Sequence, residues 1–395
     1  MNKILILGGS HAEIPLIKSA KELGYYVVTT GNKENDIGHK YADEYIKEDF
    51  SNKEKIYELA LRLRVNAICP CANDFAAISC SYVAEKLGFN HYDNYETSLI
   101  IHHKDKFREF AIKHNLSVPI AKSFDSAEEL LNDINTFKLP IIIKPIDLSG
   151  GKGIQKIDNL NINKVDEIVQ YAFSISKAKK VVVEEFIEGS NHGLSCILIN
   201  GKIQFYFCDN EHYYINKYMV SGASSPCDVP ASAIFDLIEE SEKCAQILNL
   251  KDGIFHIQFI LKCNAIPYII EICRRPPGDL YIDFVSYVTG IDYPTVLIKL
   301  FSGMPLNPKE LKPIKNELIT RHCVMSDKNG IIKNISFNSE IKKNILSELM
   351  WWSPGEEIID YKKYKAGIVF VKYNSKSEMN AKSSSLNKLI KINLK

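Results

Sequence analysis

Apolar runs separated by polar, helix-spaced stretches organise this chain. KILIL (3–7) is a buried-strand pattern that ends in Gly8-Gly9-Ser10, and a helix is expected at roughly 12–23. YYVVTT (25–30), a helix near 53–63, NAICP (66–70) and a helix near 74–87 repeat the order strand, turn, helix. Such alternation at short spacing predicts a parallel, doubly wound α/β sheet. The first glycine turn lacks the full G-x-G-x-x-G pattern, so it reads as a tight strand-to-helix turn rather than a dinucleotide site.

The pattern changes after about residue 100. HKDKFREFAIKHNLSV (103–118) is helical until Pro119 ends it. A helix near 126–135, the strand run LPIIIKP (139–145), the glycine-rich DLSGGKGI (147–154), a helix at roughly 163–176 and KKVVVEEFIEG (179–189) follow. LSCILING and KIQFYFCD then form a hairpin turning at Asn200-Gly201. A helix near 231–248 precedes a second hairpin, GIFHIQFILK (253–262) and AIPYIIEICRR (265–275), turning at Cys263-Asn264. Helices near 281–288 and 293–302 close this part. Beyond Pro305 the chain turns polar and lysine-rich, with short strand candidates such as ELITRHCVM, GIIKNIS and AGIVFVKY.

Composition narrows the class. The 395 residues are 46% apolar and 25% charged, with a net charge of +1, as in an ordinary soluble globular protein. Nothing in that balance favours nucleic acid or an anionic membrane as a partner. The ten cysteines are scattered without a CxxC pair, which argues against structural zinc and for a reducing compartment. The N-terminal apolar run is too short for a secretory segment and no run suits a membrane span. A cytoplasmic protein is expected.

Four stretches carry candidate chemistry: Lys104 at a helix start; Lys144 with the loop Ser149-Gly150-Gly151-Lys152-Gly153; Glu184-Glu185-Phe186-Ile187-Glu188-Gly189; and Gln258 on one hairpin strand with Glu271 and two arginines on its neighbour. Together they suit a nucleoside triphosphate. Lysines offer point charge to phosphates, and a glycine-rich loop brings backbone N–H groups close to them. A strand end with a carboxylate can read an adenine edge and ribose hydroxyls. A glutamate on a rigid sheet can hold Mg²⁺, while a neighbouring arginine neutralises the transferring phosphoryl group.

The order and spacing of these motifs resemble the ATP-grasp superfamily, and in particular its carboxylate–amine ligases, related to amino-acid ligases, purine-pathway carboxylases and biotin carboxylase. The stretch DIGHKYADEY (36–45) adds to the likeness. The resemblance implies a Rossmann-like domain over 1–100 preceding the ATP-grasp domain, a two-lobed α+β ATP-grasp domain over 101–305 with its small lobe at about 115–190, and a small β-rich C-terminal cap over 306–395. It implies ATP and Mg²⁺, or Mn²⁺, as cofactors, a small-molecule carboxylate and an amine as substrates, and by analogy a homodimer. Lys104 and Lys144 would contact phosphates, and Ser149, Gly150, Gly151, Lys152 and Gly153 would cover them. Glu184 would meet the adenine amino group, and Glu185, Phe186 and Ile187 would line the same edge. Asn191 or His192 would lie near the ribose. Glu271 would bind metal with Gln258, and Arg275 would face the acyl phosphate.

Three positions depart from the pattern. Gln258 stands where a carboxylate is usual, Cys273 where asparagine is usual, and Asn191 where glutamate is usual. A thiol is a poor Mg²⁺ partner. One metal ion in place of two, recruitment of Asp279 or Glu211, and a degenerate nucleotide-binding site are the outcomes left open. A bicarbonate-activating carboxylase is the alternative enzyme and a non-catalytic nucleotide-binding protein the alternative class. Strand alternation separates the arginines: Arg275 shares a face with Glu271 and Cys273, and Arg274 faces the other way. His212-Tyr213-Tyr214 would line the acceptor pocket, while His256 and Trp351-Trp352 read as structural.

Overall fold

Ile4, Leu5, Ile6 and Leu7 are all fully buried, the requirement of a strand covered on both faces. They belong to β1 (Lys3–Leu7), which with β2 (Tyr26–Gly31), β3 (Glu44–Lys47) and β4 (Ala67–Pro70) forms a parallel sheet in the order β3-β2-β1-β4. The computed structural model describes residues 2–146, 148, 153–263 and 265–395. Helices α1 (Ile14–Glu22), α2 (Lys53–Leu63) and α3 (Asp74–Leu87) alternate with these strands. Asn52 and Asn73 cap α2 and α3 by accepting from the N–H groups of Lys55 and Phe75. The glycine turn after β1 is filled by the chain itself. A Cβ on Gly9 would fall 2.0 Å from the His39 ring, and Gly38 N–H donates to the Gly9 carbonyl at 2.7 Å.

α4 (Tyr95–His102) and α5 (Lys104–Lys113) follow, separated at His103. The helix expected over 103–118 is therefore shorter, and α4 was not legible in the sequence. Asn115 takes a left-handed φ of 53° and Leu116 N–H closes back to the Ala111 carbonyl at 2.9 Å, ending the helix before Pro119. A small lobe comes next. Its strands β5 (Ala121–Phe124), β6 (Ile141–Pro145), β7 (Gln155–Ile157) and β8 (Val181–Glu185) pair antiparallel in the order β5-β8-β6-β7. With α6 (Ala127–Asp133) and α7 (Ile162–Ile175) they enclose a separate core that includes Phe124, Ile141, Ile143, Val169 and Val183.

The remaining strands are β9 (Ser190–Ile199), β10 (Lys202–His212), β11 (Gly222–Ser225), β12 (Gly253–Leu261), β13 (Pro267–Cys273), β14 (Ile319–Val324), β15 (Gly330–Phe337), β16 (Ile345–Met350), β17 (Glu357–Ile358), β18 (Gly367–Lys372) and β19 (Ile390–Leu394). An eight-stranded sheet runs β13-β12-β9-β10-β11-β14-β18-β16, and a three-stranded one runs β17-β15-β19. Three strands from beyond residue 305 thus complete the large sheet. α8 (Ala231–Leu248), α9 (Tyr281–Thr289) and α10 (Tyr293–Phe301) accompany it. One hydrophobic cluster joins Ile4 and Ile6 of the parallel sheet, Phe284 and Leu297 of α9 and α10, Phe207 of the large sheet and Phe370 of β18. Trp351 stacks on His11 across the same junction, with ring centroids 4.1 Å apart. Among the described residues no helix is long and apolar enough to cross a membrane.

Candidate functional site

The small lobe stands over the edge of the large sheet that carries β12 and β13, and the gap is a cavity of about 700 Å³. Its walls include Lys104, Lys144, Glu184–Gly189, Gln258, Glu271, Cys273 and Arg275. Residues more than 150 positions apart in the sequence therefore meet at one place.

Three charges define the hinge side. Glu184, on β8, is 1% exposed and sits opposite Ile142 of β6, beside Lys144. Lys144 Nζ donates to its Oε2 at 2.6 Å, and Arg108 donates through Nε and a terminal nitrogen at 2.9 and 3.3 Å. Arg108 also donates to the Ile270 carbonyl of β13 at 2.6 Å, so one guanidinium ties lobe to sheet. Burial alone would raise the Glu184 carboxyl; the charges of Arg108 and Lys144 outweigh it and hold the group at about 2. Lys144 is pulled down by burial and by Arg108, with Glu184 opposing. Two cations share one carboxylate, leaving a buried surplus of positive charge that favours an anion in the cavity. Glu184, expected to meet an adenine edge, lines the cavity with both oxygens already engaged by Arg108 and Lys144. Arg108 was missed in the sequence. Its signal was there: it lies four residues after Lys104, on the same helical face.

Lys104 opens α5 and reaches two partners. Its Nζ donates to the Leu148 carbonyl at 3.1 Å and lies 3.5 Å from Glu271 Oε1. The phosphate-covering loop expected at Ser149, Gly150, Gly151 and Lys152 lies outside the described residues. Gly153 takes φ +73°, and a Cβ there would fall 2.3 Å from Ile175 Cδ1. On the far wall, Lys156 Nζ stands 4.3 Å over the Phe186 ring, and Phe186 N–H is bound to the Pro140 carbonyl at 2.9 Å. Glu185, Ile187 and Asn191 also line the cavity. His192 does not. As the next residue on its strand it points to the other face, where Ser190 Oγ is 2.6 Å from Nε2, the Asp209 carbonyl 3.2 Å from Nδ1, and Phe259 stacks on the ring.

On the sheet, Gln258 lies directly opposite Glu271, and His256 opposite Cys273. Gln258 Nε2 donates to Glu211 Oε1 at 2.7 Å, and Tyr213 O–H donates to Glu211 Oε2 at 2.6 Å. Glu211 is thus placed beside Gln258, whereas Asp279, the other carboxylate considered for recruitment, is held by Lys365 at 2.5 Å and Arg321 at 3.6 Å, with His11 Nε2 3.5 Å away. Burial pushes the Cys273 thiol up to about 11, and its Sγ is 3.6 Å from the Arg275 carbonyl, so it offers no thiolate. Burial, with the charges of Arg275 and Arg321, lowers His256 to about 3, which leaves it neutral. Among the described residues no group of three or more His, Cys, Asp or Glu side chains could hold a metal ion. Glu271 and Gln258 are hard oxygen donors, however, and Mg²⁺ needs only one or two protein oxygens when nucleotide phosphates supply others.

The two arginines part company here. Arg275 lines the cavity and is clamped by Asp74, at the start of α3, through contacts of 2.9 and 3.3 Å. His102 Nδ1 lies 3.0 Å from the same carboxylate. Arg274 turns away and binds Asp93 at 2.8 Å, the Ile254 carbonyl at 2.6 Å and the Lys251 carbonyl. The turn that follows is strained: Asp279 and Leu280 take φ of 56° and 55°. Of the stretch His212-Tyr213-Tyr214, only Tyr213 reaches the cavity, joined by Lys217, Tyr218, Met219 and Val220. Lys365 lines it too, a residue with no distinguishing sequence signal.

Comparison with known proteins picks out the same stretch of chain. The family model described as an ATP-grasp domain covers residues 103–279, from the residue before Lys104 to the end of the arginine turn. The chain carries an ATP-grasp domain. A curated relative, the formate-dependent phosphoribosylglycinamide formyltransferase of Prochlorococcus marinus (strain MIT 9515), is 24% identical over 327 residues, 80% of each chain. The L-amino acid ligase from Bacillus licheniformis superposes with a TM-score of 0.82 at 16% identity, covering 100% of this chain and 99% of that one. The biotin carboxylase–β,γ-ATP complex from Campylobacter jejuni superposes with a TM-score of 0.76 at 17% identity, covering 99% and 92%. These likenesses extend the shared fold beyond the ATP-grasp domain to nearly the whole chain.

Proposed function

We propose that this protein is an ATP-dependent ligase that activates a small-molecule carboxylate as an acyl phosphate and joins it to an amine, releasing ADP and phosphate. The observation that carries this reading is the convergence of Lys104, Lys144, Glu271, Gln258 and Arg275 on one cavity between lobe and sheet. The curated relative and the amino acid ligase, by their names, act on small molecules, and the biotin carboxylase is a complex with an ATP analogue.

Each residue has a role in positioning and charge. Lys104 and Lys144 hold the polyphosphate, the surplus charge of the hinge triad adding to the pull. Phe186 and Ile187 hold the base at the strand edge. Arg275, oriented by Asp74, stands beside the reacting groups and neutralises charge as the substrate carboxylate attacks the γ-phosphate. Displacement of phosphate from the acyl carbon by the amine then completes the amide. No side-chain nucleophile is needed, and preorganised geometry supplies most of the rate. Glu271 and Gln258 would hold Mg²⁺, or Mn²⁺, which when bound offsets phosphate charge.

Phosphate release measured with ATP, Mg²⁺ and a matrix of carboxylates and amines, bicarbonate included, tests this directly. Turnover requiring both an organic carboxylate and an amine is expected, and Glu271→Ala and Arg275→Ala should remove it. Turnover that needs bicarbonate alone would replace the ligase with a carboxylase, and none with any pair would discard the activity.

A further inference from the structure

Gln258 supplies an oxygen without charge at the floor of the cavity, directly across from Glu271. An amide can face a cation in either of two ways. Its carbonyl oxygen would be a ligand, whereas its NH₂ group would be a donor aimed at positive charge. Glu211 chooses between them. A carboxylate only accepts, and its Oε1 takes the Gln258 Nε2 at 2.7 Å. The carbonyl on the other arm of the amide is left for the cavity, which Gln258 lines and Glu211 does not. Glu211 is itself fixed from its second oxygen by Tyr213 O–H at 2.6 Å, so it cannot swing away without breaking a further bond.

We propose that Glu211 is a positioning residue that turns the Gln258 carbonyl oxygen toward the cavity as a neutral ligand for the nucleotide's divalent cation, beside Glu271. The acid and the amide form a unit in which the negative charge stands one layer behind the ligand. This rests on the reading of the cavity as an ATP site. It adds that a carboxylate outside the cavity governs metal binding, and that the pair can be transposed.

The test uses the full chain and reads binding, not turnover. Calorimetry with ADP in EDTA measures nucleotide binding alone; titration of Mn²⁺ into the ADP complex, followed by electron paramagnetic resonance, measures the cation. Glu211→Gln should leave ADP binding in EDTA unchanged and weaken Mn²⁺ binding roughly 10–100-fold, the usual effect of removing an outer-layer partner of a ligand. Transposing the pair, Glu211→Gln with Gln258→Glu, should recover the parent affinity for Mn²⁺, since the new amide donates to the new carboxylate. Parent-like Mn²⁺ binding by Glu211→Gln, or no recovery in the transposed protein, would overturn the proposal. Equal loss of ADP binding in EDTA by Glu211→Gln would also overturn it, because Glu211 would then be supporting the fold alone. A parent protein that binds no ADP in EDTA or with Mn²⁺ would instead remove the ATP site itself.

Discussion

Arg274 and Arg275 are adjacent, equally charged and part-buried, yet their substitution should have opposite readouts. Arg275→Ala removes the cavity's arginine and leaves Asp74 with His102. Turnover should fall by about 10²–10³, as for loss of a donor that acts in the transition state, with denaturation midpoints changing less. Arg274→Ala leaves Asp93, buried to a similar degree, without its charged partner and with only the Lys251 N–H at 2.7 Å. Unfolding in urea should show a loss of about 3–5 kcal/mol, the usual result of breaking a buried pair, while KM for ATP stays put. Glu184 gives a pH signature. Its carboxyl is held at about 2 against an ordinary 4.5, so the stabilisation it contributes is complete above pH 4.5 and drains away as pH falls toward 2. A shift of that size corresponds to about 3 kcal/mol. The difference in urea stability between the parent and Glu184→Gln should shrink over that window, and a constant difference would show that the ion triad does not titrate as described.

Small lobe and hinge set what each element does for the site. Ile143 is fully buried in the lobe's own core and immediately precedes Lys144. Ile143→Ala should cost the lobe about 2–5 kcal/mol and weaken nucleotide binding, seen as faster amide exchange confined to β5–β8. The strands of this lobe and of the hairpins were legible because β-branched residues fall between clear turn signals. Lys144, Gln258 and Glu271 could be placed on them, and alternation alone separated Arg274 from Arg275. The same rule applied at Asn191-His192 would have excluded His192, since only one of two neighbours can face the cavity. What alternation cannot supply is side-chain pairing between distant segments. Glu184 looked like a free carboxylate until Arg108, 76 residues earlier, was found on it. Lys365 reaches the cavity, and Asp74 reaches its arginine, from segments whose patterns say only helix and turn.

At the scale of the whole molecule the cavity is a cleft between two bodies with separate cores, bridged by Arg108. A ligand that fills it should stabilise both at once. At a hundredfold excess over Kd, ATP should add about 2.7 kcal/mol, visible as an upward shift of Tm. Lys144→Ala should abolish that shift. Trp351→Ala removes the ring stacked on His11 and should loosen the junction of the last strands with the parallel sheet, costing about 1–3 kcal/mol in a thermal melt, since the ring is only partly buried.

The large sheet also imposes an order on synthesis. β11 is only four residues long, and its outer neighbour β14 begins at Ile319, 94 residues after β11 ends at Ser225. A nascent chain therefore exposes an unpaired edge at β11 until that distant strand leaves the ribosome. The small lobe, whose core draws only on residues 124–183, can close long before. Contacts of such separation fold slowly and leave open edges that invite association with other chains. The small lobe is thus ready early, while the large sheet is finished last. Any truncation near residue 305 would leave the protein permanently at that unfinished stage.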